Sequence, residues 1–129
     1  MTVGIRIDGL DRLVRKLGRL RAFSKLREPL ERGLATLHEA IAVYPPSPEG
    51  STYRRTGTLG RRWTTEVQTL TQFRGVLGNN TIYGPYVQDK DKQARVHRGR
   101  WQTIQSVVKA KRAAVVADFL AVLRRLLNE

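Results

Sequence analysis

Cysteine is absent from this 129-residue sequence, so disulfide bonds and thiolate metal sites are excluded. The two histidines, His38 and His97, lack the close spacing of a histidine-based zinc site. No serine has a Gly-x-Ser-x-Gly context, and neither a Walker lysine nor a dinucleotide-binding glycine pattern occurs. We therefore predict a protein that is not an enzyme and that has no catalytic residue, metal or cofactor.

Long apolar runs are also missing. No segment approaches the roughly 18 consecutive apolar residues that a membrane helix needs. Residues 1–8 contain no apolar stretch behind a charged start, which predicts that they are not a signal peptide. We expect folding in the cytosol of the cell that makes the protein, and no membrane partner.

Positive charge is what the sequence has in excess. Lysine and arginine total 24 against 11 aspartate and glutamate residues, which gives a formal net charge of +13. Such a surface attracts nucleic acid, other anionic surfaces or acidic proteins, although a basic surface can also be merely solvated. The length suits a single domain over residues 1–129, and the 40% content of hydrophobic residues suffices for a core.

The first half of the chain has the pattern of one strand and two helices. Val3, Ile5 and Ile7 alternate with polar residues or glycine, as in a half-buried strand. Asp8 is a suitable N-cap for an amphipathic helix with Leu10, Leu13, Val14, Leu17 and Leu20 on its apolar side. A second helix is predicted to begin near Pro29 and to continue to about Val43. The prolines and glycine that follow predict an extended, mobile arm over about residues 45–58.

The second half predicts three strands and a long helix. Residues 63–69 and 73–77 form a hairpin around a turn at 70–72, and residues 82–88 form a third strand in which Pro85 marks an edge or bulge. Residues 89–100 are predicted to be a charged second arm, also mobile, and a helix runs from about Thr103 to the end. The predicted order is β-α-α-β-β-β-α. The fold class is α+β, a small antiparallel β-sheet packed by N-terminal helices and a long C-terminal helix.

Two charged clusters are candidate sites, one for a metal ion and one for nucleic acid. Asp89 and Asp91, beside Lys90, could hold Mg²⁺ in a nuclease, but alternating charges in a loop are more simply a solvated segment. Arginines also flank aromatic residues, before Trp63 and before Trp101, and such pairs can bind phosphates and stack on bases. The alternative is that both tryptophans belong to the core and that the arginines are solvated.

The segments Tyr53–Trp63 and Asn79–Val87 carry a family resemblance. The first contains Thr56-Gly57-Thr58-Leu59 and the second contains Tyr83-Gly84-Pro85-Tyr86-Val87. In this order they resemble the lambdoid gene-product-ten, or tail-completion, family of bacteriophage tail components. Gly9-Leu10-Asp11-Arg12-Leu13, after the first strand, is similar to the opening of that family. The sequence departs from the family pattern after the tyrosine-rich segment, at residues 88–101.

The resemblance implies a structural virion protein that joins the tail to the DNA-filled head as part of a neck ring. Its implied partners are further copies of itself, in a hexamer, then head-closure proteins, tail-terminator or tail-tube proteins, and packaged DNA without sequence preference. Its implied location is the virion neck or tail, with the host cytoplasm as the place of assembly. The residues expected to contact other subunits are Tyr53, Arg54, Arg55, Leu59, Arg61, Arg62, Tyr83 and Tyr86.

A second function remains open from the charge alone. A small basic nucleic-acid-binding protein, such as a ribosome-dependent endoribonuclease toxin, can have this length and net charge. Such a toxin should present arginines, a lysine or a tyrosine on strands, whereas the arginines here are predicted to lie in loops and on helix faces.

Overall fold

A computed structural model describes residues 1–9, 12, 15–16, 18–46, 49–50, 57–68 and 73–128, with the backbone alone described for 19–23. In chain order the elements are β1 (Thr2–Ile7), α1 (Arg19–Ile41), α2 (Thr58–Arg61), β2 (Trp63–Gln68), β3 (Phe73–Asn79), α3 (Gly84–Gln88), a 3₁₀ helix (Arg95–His97) and α4 (Ile104–Leu127). The α+β class is confirmed: a three-stranded antiparallel sheet packs against α1 and the long C-terminal α4.

The sheet has the order β1-β3-β2, and both strand pairs are antiparallel. Ile5 of β1 and Val67 of β2 both lie opposite Gly75 of β3, so these three positions share one face. That face packs against the two long helices, because Ile5 and Val67 contact the buried helix residues. The predicted strand at Val3–Ile7 and the predicted β2–β3 pairing are confirmed.

Helix α1 buries a continuous leucine and isoleucine stripe. Its buried members are Leu26, Leu30, Leu34, Leu37 and Ile41, at spacings of three and four residues. The prediction that this helix begins near Pro29 is wrong, since α1 begins at Arg19 and contains Pro29. A proline inside a helix costs about 3 kcal/mol. Burial of Leu26 and Leu30 on either side of it offsets that cost.

Helix α4 begins at a capping box, in which Thr103 Oγ1 accepts a hydrogen bond from Ser106 N at 3.1 Å. It crosses α1, where the Arg32 guanidinium binds Asp118 through Nε–Oδ2 at 3.0 Å and Nη2–Oδ1 at 3.3 Å. This hydrogen bond with Asp118, above all, raises the pKa of Arg32. The predicted helix from about Thr103 is therefore confirmed; side-chain hydrogen bonds fix its beginning, and the Arg32–Asp118 pair joins its middle to α1.

The predicted third strand at residues 82–88 is wrong. Residues Gly84–Gln88 form the short helix α3, and Pro85 occupies its first turn, where a missing amide hydrogen costs nothing. Proline is compatible both with an edge strand and with the first turn of a helix, so the residue type at position 85 did not decide between them. The described elements therefore run β-α-α-β-β-α-α, with the short α2 and α3 among them.

The predicted loop at 89–100 contains a 3₁₀ helix, Arg95–His97, and a buried Gln93. Its mobility stays a prediction. Four of the five apolar residues of the first predicted helix, the turn at 70–72 and most of the proline arm lie outside the described residues, while the backbone of the fifth, Leu20, belongs to α1. Within the described part of the chain, no helix is long and apolar enough to cross a membrane.

Candidate functional site: an aromatic groove

The site is built where α1 ends and β2 begins. Tyr44 follows the C-cap of α1, and its hydroxyl oxygen accepts a hydrogen bond from Trp63 Nε1 at 2.9 Å. Trp63 is the first residue of β2 and is buried. Of the two alternatives for Trp63, its burial favours the core residue at a strand boundary. Burial, as the largest cause, raises the pKa of Tyr44, and the hydrogen bond from Trp63 opposes that shift.

Asn79 joins the two segments that carry the family resemblance. Its Nδ2 donates to the carbonyl oxygen of Leu59 at 2.8 Å, and its Oδ1 accepts from Thr81 N at 3.0 Å. The side chain is buried, with both ends of its amide hydrogen-bonded. The residue pattern alone does not single out this asparagine for a buried contact. An asparagine at the end of an alternating strand could have indicated such a link, because its side chain can bind a backbone amide two residues on.

Two buried glutamines fix the wall of the groove. Gln93 Nε2 donates to the carbonyl oxygens of Val87 at 2.8 Å, Trp101 at 3.2 Å and His97 at 3.4 Å. Gln88 Nε2 donates to the carbonyl oxygens of Ile41 at 3.2 Å and Gln102 at 3.3 Å.

These contacts attach α3 and the 3₁₀ helix to the ends of α1 and α4. Nothing in the sequence pattern marked either glutamine, because their role depends on carbonyl groups that are distant along the chain.

Between these walls lies an apolar groove of about 350 Å³. Its lining consists of Tyr44, Gly57, Thr58, Leu59, Gly60, Tyr83, Tyr86, Val87, His97 and Trp101. The Trp101 ring lies 5.2 Å from the Tyr44 ring and 5.8 Å from the His97 ring, the latter edge-on. Tyr83 and Tyr86 stand at the mouth, 43% and 56% exposed, beside the 91% exposed Ile82. An exposed group of large apolar side chains of this kind is typical of a binding surface.

Positive charge lies at the rim. The Arg61 guanidinium nitrogen Nη1 lies 3.2 Å from the place a Cβ would take on Gly57, whose φ of +74° is left-handed. Arg62, next along the chain, and Arg98, directly after the groove-lining His97, are exposed like Arg61, and within the described residues none of the three forms a salt bridge. The groove therefore combines aromatic walls with cations that are available to an anionic partner.

The structure brings together four of the predicted contact residues. Leu59, Tyr83 and Tyr86 line the groove, and Arg61 lies beside it on α2. Leu59 is buried, so it forms part of the floor and leaves the exposed contact surface to the tyrosines. Arg62 is exposed at the C-cap of α2. The other three predicted contact residues, Tyr53, Arg54 and Arg55, lie outside the described residues.

In the charged segment beside the groove, the Asp89 carboxylate binds a backbone amide of the same segment. Asp89 Oδ1 accepts hydrogen bonds from Asp91 N at 3.0 Å and from Gln105 Nε2 at 3.2 Å. Among the described residues no group of three or more histidine, cysteine, aspartate or glutamate side chains is placed to hold a metal ion. Of the second candidate cluster, Trp101 lines the groove, whereas the arginines before it are not among the lining residues.

The sequence matches no family model, and neither a curated protein nor a solved structure proved similar to it. The groove itself therefore carries what can be said of function. It has room for one or two apolar side chains of a partner, tyrosine and indole groups around them, and arginines at its edge.

Proposed function

We propose that this protein is a structural component of a tailed bacteriophage or prophage virion, placed in the neck ring that joins the tail to the DNA-filled head. The observation that supports this proposal is the aromatic groove. It unites the segments at residues 57–60 and 83–87, which carry the resemblance to the tail-completion family, although they are separated in sequence by the β2–β3 hairpin.

Ring assembly also agrees with the shape of the site. A closed ring needs two different complementary patches on each subunit, so one patch must receive part of a neighbour. The groove is such a receiving surface, with Tyr83 and Tyr86 as the aromatic side chains that most often dominate interface energies. In this proposal the neighbours are other copies, as a hexamer in the virion, and the head-closure and tail-tube or tail-terminator proteins.

The decisive experiment is complementation of a phage that lacks the gene. The variant Tyr83→Ala/Tyr86→Ala removes both exposed rings of the groove, and Thr64→Ala/Gln68→Ala, on the exposed side of β2, is the matched control. We expect the first variant to accumulate filled heads separate from complete tails, counted by electron microscopy, and the control to produce whole particles. Whole particles from both variants, or absence of the protein from purified virions, would contradict the proposal.

One observation favours a second function, nucleic-acid binding. Arg61, Arg62 and Arg98 are exposed near aromatic side chains and without salt bridges in the described part of the chain. Arginine and aromatic side chains together are typical of surfaces that bind single-stranded nucleic acid. In the neck proposal the same charges face packaged DNA or an acidic neighbouring ring. The salt dependence of DNA binding distinguishes a general electrostatic contact, which weakens steeply as salt is added, from specific recognition.

A further inference from the structure

Among the described residues, strand β1 is paired on one side only, and the hydrogen bonds of Met1 define the orientation of its backbone groups. Met1 N donates to Asn79 O at 3.4 Å and Asn79 N donates to Met1 O at 2.9 Å, so the backbone groups of Met1 face β3. In an antiparallel pair this orientation alternates residue by residue. The amide and carbonyl groups of Gly4 and Arg6 therefore face away from β3, toward the side of β1 where the described residues place no further strand.

One row of α4 side chains, here called the ledge, runs beside this edge. Val108, Arg112 and Val116 recur at intervals of four residues on the helix, and together with Val3 and Ile5 of β1 they line a cavity of about 330 Å³. A second cavity, of about 500 Å³, continues along Val3, Val108, Lys109 and Arg112. Val116 is 46% exposed although it is apolar. A strand added to β1 would place every second side chain over these cavities.

The charge of the ledge indicates which kind of strand fits. Lys109 and Arg112 form no salt bridge within the described residues, whereas Arg6 is bound to Asp8 at 3.0 Å. Apolar cavities flanked by two free cations suit a segment in which apolar and acidic side chains alternate. This chain has no segment outside its own strands with that alternation, so a second copy is a poor occupant.

We propose that the β1 edge binds an extended, acidic segment of a different protein as a fourth strand of the sheet. The main chain of that segment pairs with Gly4 and Arg6, its apolar side chains enter the cavities beside Val108 and Val116, and its carboxylates reach Lys109 and Arg112. The proposal goes beyond the neck function and does not depend on it, because it uses neither the aromatic groove nor its tyrosines.

The test starts from an mRNA-displayed library of random 12-residue peptides selected on the full chain. We expect enriched peptides to alternate apolar with acidic residues. Amide hydrogen exchange then reports the binding mode residue by residue. In the free protein we expect fast exchange of the Gly4 and Arg6 amides and slow exchange of the Val3 and Ile5 amides, which face β3. A bound peptide should slow exchange at Gly4 and Arg6 at least tenfold.

Two pairs of variants isolate the contributions of backbone and charge. Arg6→Pro removes an amide hydrogen of the open edge, while Arg6→Ala removes the side chain and retains that amide. Arg112→Glu reverses a charge over the cavities, while Lys111→Glu makes the same change on another face of α4. We expect peptide affinity to fall at least tenfold in Arg6→Pro and Arg112→Glu, and less than twofold in the two controls.

Several results would overturn the proposal. These are an absence of enriched peptides, enrichment of basic or proline-rich ones, and binding that leaves the Gly4 and Arg6 amides unprotected. Protection of both amides at high protein concentration without peptide, together with a dimer in sedimentation, would assign the edge to a second copy instead. If Arg6→Pro does not fold, the exchange data and the Arg112→Glu comparison still decide the question.

Discussion

The indole nitrogen of Trp63 donates a hydrogen bond to the hydroxyl oxygen of Tyr44 at 2.9 Å. This contact ties the segment after α1 to the first residue of β2, and it gives a buried N–H group its acceptor. The Tyr44 ring meanwhile packs 5.2 Å from the ring of Trp101. Tyr44 therefore connects the core to the aromatic groove, and its hydroxyl has a structural role of its own.

Removal of that hydroxyl should destabilise the protein. In Tyr44→Phe the ring remains, but the indole N–H of Trp63 loses its partner inside the protein. An unsatisfied buried donor costs about 1–3 kcal/mol, so we expect a loss of about 1–2 kcal/mol in the free energy of unfolding, measured by urea denaturation. Tyr86→Phe is the matched control, because Tyr86 is exposed and its hydroxyl makes no hydrogen bond to the described residues. An equal loss in both variants would contradict the assigned role.

The stability of the fold should also depend on alkaline pH through Tyr44. Its pKa is raised above the ordinary value of 10.0, chiefly because burial disfavours the phenolate. The neutral form thus stabilises the fold fully below pH 10, and this contribution is lost as pH rises through the raised pKa of the folded state. We expect the free energy of unfolding to fall more steeply above about pH 10 in the wild type than in Tyr44→Phe. Parallel pH profiles for the two proteins would contradict this.

The fold class could be predicted from the sequence because its elements are long and periodic. The leucine stripe of α1 and the alternation at Val3–Ile7 follow single periods over enough residues to be unambiguous. The two errors occurred at prolines. Pro29 lies inside α1 and Pro85 begins α3, and in each case the local preference of proline admits more than one structure. Packing against distant residues decided between them.

The groove was predicted only in part. Leu59, Tyr83 and Tyr86, which line it, were expected as contact residues only through the resemblance to the tail-completion family. The sequence did not indicate Gln88 and Gln93. Their side-chain amides donate hydrogen bonds to carbonyl groups of residues that the fold brings near. Hydrogen bonds to the backbone have no residue-type signature in a single sequence. The supporting layer of a site is for that reason harder to predict than its lining.

Gln93 provides a test of that supporting layer. Its amide nitrogen donates hydrogen bonds to the carbonyl oxygens of Val87, His97 and Trp101. Gln93→Leu keeps a similar volume but leaves these carbonyls without their donor, and we expect a loss of about 1–3 kcal/mol in the free energy of unfolding. The exposed Gln68→Leu should change it by less than about 0.5 kcal/mol. Tryptophan fluorescence gives a second measurement, since Trp101 lies in the affected wall. Unchanged stability and fluorescence in Gln93→Leu would contradict the role of this side chain.

Binding to DNA should be electrostatic and without sequence preference. The rim arginines are exposed. Log affinity falls linearly with log salt concentration, and each phosphate contact that is lost should reduce the magnitude of that slope by about 0.9. We expect Arg61→Ala/Arg98→Ala to reduce that slope by about 2, measured by fluorescence anisotropy on duplexes of unrelated sequence. The control Arg6→Ala/Arg27→Ala removes the same charge from arginines already bound to Asp8 and Glu31, and it should change the slope by less than half as much. Equal slopes in the two variants would show that the rim is not the contact.

Tight binding to one sequence that persists at high salt would instead favour a specific nucleic-acid-binding protein over a neck component, because counterion release gives affinity without reading the bases.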